Sequence, residues 1–234
     1  VIAEINNPIL YVSNYSVESI STKNQFNMIF TRNFKSGERN IAVDFYREIN
    51  NIDDWYGMNN STTENYRLMQ DLDFKNNQNK ICIGKQLTGK IDGNNHTISN
   101  IQKPYVFYYI KGSLKNLNIV NVKFATNTTY MGIISNANSA EIDNINVKNV
   151  SIESVTTSKD ASIIIGGLTT WSNNSRIQNC SINDIKINVD NMKKEIIIGG
   201  ISAKSSSDYI YNCYVNNINI KESNTMNSNG IGAV

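Results

Sequence analysis

Ile177-Gln-Asn-Cys-Ser-Ile-Asn-Asp-Ile-Lys-Ile187 is the stretch that decides the fold. Its apolar residues are Ile177, Cys180, Ile182, Ile185 and Ile187, separated by steps of 3, 2, 3 and 2. A plain strand steps by 2 throughout, and a helix steps by 3 or 4. Steps of 2 interrupted by steps of 3 describe short strands joined by one-residue bends. Each bend resets the alternation, so that the next apolar side chain again faces inward. Asn179 and Asp184 occupy the bends. Both residue types tolerate left-handed backbone angles and can hydrogen-bond their own backbone, as a bend requires.

Three further segments share this pattern: Leu114–Phe124, Ile142–Ile152 and Ile210–Ile220. The four starts lie 28, 35 and 33 residues apart. A second motif, an apolar run ending in Gly, alternates with the first. Its Gly132, Gly166, Gly199 and Gly232 recur at intervals of 34, 33 and 33. Two motifs with one period define a repeat of about 33 residues and a coiled, stacked architecture. The expected fold is all-β, a right-handed parallel β-helix in which each coil pairs with the coil below. The first bend holds Asn in every copy: Asn116, Asn144, Asn179 and Asn212. Stacked about 4.8 Å apart, these amides are expected to form a hydrogen-bonded ladder. Leu117, Ile145, Cys180 and Cys213 would form the adjacent inward stack.

The bulk composition agrees. Of 234 residues, 40% are hydrophobic and 18% charged, ample for a core. Asn makes up about one residue in six, and there are only two prolines. This composition favours strands and turns over long helices. A net charge of +2 gives no reason to expect nucleic acid or an anionic membrane as partner. No apolar run approaches the 18 or so residues that span a bilayer. The chain begins at Val1 and stops within a recurring motif, Gly230-Ile-Gly-Ala-Val234, so it is expected to be a piece of a larger protein whose coils continue.

Residues 1–43 differ in texture. Val17, Ile20, Phe26, Met28, Phe30, Ile41 and Val43 suggest a small antiparallel β segment ending a preceding domain. Residues 44–64 are expected to form a capping helix and loop. Phe45, Ile49, Ile52 and Trp55 follow helical spacing, with Asp44 as N-cap. The β-helix would then occupy 65–234, opening with Tyr66–Phe74 as one strand. Gly89–Ile98 reads as strand, tight turn at Asp92–Asn95, and strand.

Tyr66–Phe74, the following Gly89-Lys-Ile-Asp-Gly-Asn-Asn-His-Thr-Ile-Ser-Asn-Ile101, and the Ile-Gly-Gly turns ending at Leu168 and Ile201 resemble bacterial GLUG-type repeat regions. Such regions occur in bacterial surface proteins. The helix with Trp55, Asp-Leu-Asp-Phe74 and the Asp92-Gly-Asn-Asn-His-Thr turn look most like the non-catalytic N-terminal part of Gram-positive immunoglobulin-A-specific zinc metallopeptidases. The resemblance covers roughly residues 44–234. Those peptidases carry an H-E-x-x-H helix, whereas this chain has one histidine, His96. The resemblance therefore implies no catalytic residue and no zinc ligand here.

The residues that could carry chemistry read as structural. His96 sits in a turn without a nucleophile motif. Asp71 and Asp73 bring to mind the carboxylates of β-helical polysaccharide enzymes. However, the outward positions taken as equivalent, Asp143, Gln178 and Tyr211, form no acidic cluster, so both read as turn and cap residues. Cys180 and Cys213 share one motif position a repeat apart and read as free, buried, apolar cysteines. Tyr211 and Tyr214, outward on one strand, and Trp171, in a loop, are the candidate contact residues. Lys115, Lys123, Lys148 and Lys186 lie among Asn, Asp and Ser on a solvated face.

No cofactor, metal or catalytic residue is expected. The resemblance implies a scaffold and substrate-interaction module, not itself an enzyme, of a large secreted zinc metallopeptidase. An adhesin segment binding host protein or glycan is the alternative. The implied partners are a large protein substrate or host protein, immunoglobulin A among them, and the rest of the parent chain. The implied location is secreted or cell-wall-attached, outside the cell.

Overall fold

A computed structural model describes residues 46–124, 128–152, 163–189 and 196–222. The antiparallel segment expected over 1–43 lies outside these residues. The described strands collect into three sheets of eleven, five and three strands. Every strand pairing among them is parallel, and each joins one coil to the next. The chain is thus an all-β parallel helix, as the 3-2-3-2 spacing requires.

One coil shows the plan. Tyr130–Met131 lies in the three-stranded sheet, Ile134–Asn138 in the five-stranded sheet and Glu141–Ile152 in the eleven-stranded sheet. The following coil repeats it with Ile163–Gly166, Thr169–Asn173, Arg176–Gln178 and Ser181–Val189. In the eleven-stranded sheet these coils stay in register: Ile142 pairs with Leu114 below and Ile177 above, and Val150 pairs with Val122 and Ile185. A one-residue slip would turn every apolar side chain to solvent, so the pattern itself pins the register.

The inward positions are sealed. Ile177, Cys180, Ile182, Ile185 and Ile187 are all buried, as are Leu117 and Ile145 in the stack below Cys180. Each buried Ile or Leu contributes roughly 1.5–3 kcal/mol of transfer free energy, and one apolar cluster runs through the coils.

The bends have the expected backbone. Asn116, Asn144, Asn179 and Asn212 have φ of 55°, 54°, 54° and 50°. A second series at the next bend, Asn100, Asn121, Asn149, Asp184 and Asn217, has φ between 55° and 61°. Asn and Asp visit this left-handed region more cheaply than other side chains. The turn out of the three-stranded sheet is tighter. A Cβ at Gly166 would lie 1.8 Å from the Thr169 carbonyl oxygen, and one at Gly199 would lie 1.9 Å from that of Ser202. Only glycine fits there.

The first coil departs from the sequence reading. Arg47–Ile49 is a strand paired in parallel with Tyr66–Leu68, not the start of a helix. The helix spans Ile52–Gly57, and its N-cap is Asn51, whose side chain accepts from the Asp53 and Asp54 amides at 2.9 and 3.0 Å. Asp44 and Phe45 lie outside the described residues. The spacing misleads because Ile49 faces the core from a strand while Trp55 reaches the same core from the helix. Trp55 covers the end of the core there. Its rings pack against Phe74 and Phe107 at 5.8 and 5.6 Å, and its Nε1 donates to the Ile81 carbonyl at 2.9 Å.

Tyr66–Phe74 is likewise two strands, Tyr66–Leu68 and Leu72–Asp73. The strands flanking the Asp92–Asn95 turn, Lys90–Asp92 and Thr97–Ile101, do not form a hairpin. Each pairs with the next coil, Ser113–Phe124. The turn is a wide version of the one-residue bend, with Asn94 and Asn95 at φ 50° and 61°.

Candidate interaction face

The bend side chains form directional rungs. Asn116 Nδ2 donates to Asp92 Oδ1 at 3.1 Å, and Asn144 Nδ2 donates to Asn116 Oδ1 at 3.0 Å. Asn212 Nδ2 donates to Asn179 Oδ1 at 2.8 Å. The rung between Asn179 and Asn144 is missing: Asn179 Nδ2 turns to Asp143 Oδ1, at 2.8 Å. A carboxylate is a stronger acceptor than a neutral amide oxygen, and Asp143 stands beside the column. Gln178 adds a second bond to Asp143 at 3.0 Å. Burial works to raise Asp143, but the Asn179 and Gln178 amides outweigh it, and the carboxyl lies below its ordinary value.

The second bend repeats the scheme. Asn100 donates to Asp73 at 2.8 Å, Asn121 to Asn100 at 3.3 Å, and Asn149 to Asn121 at 3.1 Å. Asn217 donates to Asp184 at 3.0 Å. A carboxylate has no hydrogen to donate, so Asp73, Asp92 and Asp184 stand at the lower ends of their runs.

Asp71 and Asp73 therefore work inside turns. Asp71 accepts from the Thr97 amide at 2.9 Å and sits 3.1 Å from His96 Nδ1. The Thr97 amide and the His96 ring hold its carboxyl below the ordinary range. Asp73 accepts from Asn100 and from the Lys75 amide, which lower it too. Neither belongs to the column of Asp143, Gln178 and Tyr211. That column runs down through Lys115, Asp92 and Arg67 instead. Arg67 and Asp92 form an ion pair at 3.0 Å, and Lys115 pairs with Glu141 at 2.9 Å. Lys123, Lys148 and Lys186 lie on the same sheet among Val120, Ser151 and Asn183, their register partners. Among the described residues no three His, Cys, Asp or Glu side chains converge in a metal-ligating group.

The outward face changes character at one coil. In the column Glu141, Arg176, Tyr209 and in the column Asn146, Ser181, Tyr214, polar side chains give way to tyrosine. Tyr209, Tyr211 and Tyr214 are 56%, 59% and 54% exposed. Tyr209 and Tyr211 stack with ring centres 6.1 Å apart, and the Arg176 guanidinium lies 5.4 Å over Tyr209. The sequence reading missed Tyr209. The alternation around inward Ile210 was the signal that could have found it.

Tyr211 and Tyr214 are not on one strand. Tyr211 ends Tyr209–Tyr211, and Tyr214 begins Tyr214–Glu222, across the Asn212 bend. Trp171 is not in a loop but within Thr169–Asn173 of the five-stranded sheet, with Lys204 Nζ 5.3 Å over its ring. The structure thus joins Tyr209 to Tyr211 and sets Trp171 on a different sheet from the tyrosines. At the corner between those sheets runs an open furrow of about 530 Å³, lined by Thr88, Lys90, Ser113, Ser139, Glu141 and Arg176. Arg176 joins this furrow to the tyrosine stack.

No protein-family model matches the chain, and no curated protein matches it. Among solved structures it is similar to the crystal structure of a candidate immunoglobulin A1 protease from Bacteroides ovatus. That likeness covers 81% of this chain and 84% of the other, at 13% identity and a TM-score of 0.36. It names no family for this chain.

Proposed function

We propose that this chain is a non-catalytic interaction and positioning module that presents a large protein to a neighbouring part of its parent. The observation that carries this reading is the tyrosine face of the coil over 202–222. Three half-exposed tyrosines occupy outward positions that the coils below fill with charged, amide or hydroxyl side chains. Tyrosine offers large, rigid contact area with a polar tip and is enriched at the centres of protein interfaces. A rigid stack of coils holds such a face at a fixed distance and orientation.

The finer reading rests on the motif resemblance of residues 44–234. On it, the parent is a secreted or wall-attached zinc metallopeptidase of Gram-positive bacteria, and the presented protein is immunoglobulin A. The zinc site would belong to another domain, because an H-E-x-x-H helix cannot be formed with His96 alone. The test is cleavage of immunoglobulin A by the parent protein with and without residues 46–222. The proposal expects KM to rise strongly on deletion while small-peptide cleavage is kept. Unchanged immunoglobulin cleavage after deletion would overturn it. So would turnover of immunoglobulin or of an acidic polysaccharide by this chain alone. Binding to a host protein with no effect of deletion on cleavage would mark an adhesin segment instead.

A further inference from the structure

The furrow of about 530 Å³ at the corner between the eleven- and five-stranded sheets follows one outward column. Lys90, Ser113, Glu141, Arg176 and Tyr209 succeed one another in register up five coils. At a strand spacing of about 4.8 Å, this column runs roughly 14 Å from Lys90 to Arg176. Ser113 is buried at its floor, while Thr88, Ser139 and Asn174 line it and are exposed. Arg176 stands out by its partners. The two other arginines among the described residues, Arg47 and Arg67, pair with Glu64 and Asp92 at 3.2 and 3.0 Å. Arg176 pairs with no described carboxylate. Its register neighbour Glu141 is taken by Lys115 at 2.9 Å, and Asp143 by the Asn179 and Gln178 amides. The guanidinium is nonetheless held in place. Its Nε donates to Gln178 Oε1 at 2.7 Å, and its carbon lies 5.4 Å over the Tyr209 ring.

We propose that this furrow binds an acidic oligosaccharide, with Arg176 as the residue that takes a sugar carboxylate. With Nε spent on Gln178, the two terminal nitrogens of Arg176 are left for a ligand. They form a planar fork that matches a carboxylate through two parallel, charge-assisted bonds. A guanidinium already fixed by a hydrogen bond and a ring loses little freedom on binding. The carboxylate of Glu141 lines the furrow too, but Lys115 neutralises it. A ligand anion therefore meets Arg176 at one end and Lys90 at the other with no net opposing charge between them.

The rest of the lining selects a saccharide over an extended peptide. A peptide docks on a sheet by pairing with free backbone groups. Here those groups are spent along the stack. The Glu141, Arg176 and Tyr209 amides donate to the Gly112, Ala140 and Ser175 carbonyls at 3.0, 2.8 and 2.8 Å. The Ser139 and Asn174 amides donate to the Asn173 and Ser206 carbonyls at 2.9 and 2.8 Å. Recognition falls to side chains. The Thr88 and Ser139 hydroxyls and the Asn174 amide each donate and accept, as sugar hydroxyls do. Asn174 spends one N–H on Ser139 Oγ at 3.3 Å, which leaves its second N–H and its oxygen for a ligand. Tyr211 and Tyr214 do not line the furrow, so the site stands or falls apart from the protein-contact reading.

The experiment is isothermal titration calorimetry of the whole chain at neutral pH and physiological ionic strength, where attraction between distant exposed charges is screened. The probes are hexagalacturonate, its full methyl ester and hexaglutamate. The expected result is saturable binding of hexagalacturonate and roughly tenfold or more weaker binding of the ester, which keeps the ring hydroxyls and loses the charge. Arg176→Gln should weaken hexagalacturonate binding roughly tenfold or more. Arg176→Lys keeps the charge, loses the fork and should weaken it roughly threefold or more. Lys186→Gln, on the same sheet outside the furrow, should bind like the wild type. The comparison of acid with ester decides the matter even if a variant fails to fold. The proposal is overturned by absence of saturable binding, by equal affinity for acid and ester, or by wild-type affinity in a folded Arg176→Gln variant. Hexaglutamate binding as tightly as hexagalacturonate overturns it too and assigns the furrow to acidic protein segments.

Discussion

The coil carrying Glu141–Ile152 and the coil carrying Tyr209–Glu222 obey one inward pattern but differ outward. In the first, Ile142, Ile145, Val147, Val150 and Ile152 are buried, and outward positions hold Glu141, Asp143 and Asn146. In the second, Ile210, Cys213, Val215 and Ile220 pack against the same core from the inward positions, and the outward positions hold three tyrosines. The bends match closely, with Asn144 and Asn212 at φ 54° and 50°. The inward pattern builds the scaffold, and the outward positions are free to change without disturbing it. Binding surface is therefore sought where outward chemistry departs from the rest of the column.

That contrast can be broken at several points, the largest effect first. Trp55→Ala, at the opposite end of the stack, removes a fully buried side chain with its Ile81 bond and should cost about 3–5 kcal/mol. Urea unfolding would show it as a lowered midpoint. Ile145→Ala in a sealed coil should cost about 2–5 kcal/mol. A cost well below that range would mean that the coil closes around the lost side chain.

At the bends, Asn144→Ala should destabilise by about 1–3 kcal/mol, losing the Asn116 rung and placing Ala at positive φ. Asn144→Gly keeps the backbone angle at ease and should cost less. If Ala and Gly cost the same, the rung and not the φ carries the preference for Asn. The acid response is smaller. The Asn100 amide and then the Lys75 amide hold Asp73 below its ordinary value. Its contribution to stability is present above the unfolded value of about 3.9 and is lost as pH falls through the lower folded value. Asp73→Asn should flatten the fall of the urea midpoint between pH 5 and pH 3, both chosen to bracket about that value. The smallest effect is expected on the outward face: Tyr211→Ala and Tyr214→Ala should each change stability by no more than about 0.5 kcal/mol.

The eleven-stranded sheet was legible because its apolar steps and its Asn bends are both written locally. The five-stranded sheet was not. Thr169, Thr170 and Ser172 are buried there, and the Ser172 hydroxyl meets Ser202 Oγ at 2.8 Å, Asp208 Oδ2 at 2.6 Å and the Lys204 carbonyl at 3.5 Å, all on the next coil. Buried hydroxyl-bearing residues in place of aliphatic ones leave no apolar period to read. The helix boundary failed for a related reason: Ile49 and Trp55 converge on one core from different kinds of element. Within the candidate face, Tyr211 and Tyr214 were legible as outward from the alternation around Ile210 and Val215. Their separation by the Asn212 bend, the stacking of Tyr209 and the distance of Trp171 depend on which sheet each strand joins, which the alternation does not encode. The missing rung at Asn179 turned on competition between Asp143 and Asn144 as acceptors, a matter of side-chain reach.

The most direct measurement is the affinity of the chain for immunoglobulin A by surface plasmon resonance, for the wild type and for the Tyr211→Ala/Tyr214→Ala variant with its urea midpoint determined alongside. The tyrosine face as a protein-contact surface predicts saturable wild-type binding and at least a tenfold loss in the variant, about 1.4 kcal/mol, with the midpoint unchanged. Absence of wild-type binding, or equal affinity of the two proteins, would contradict it.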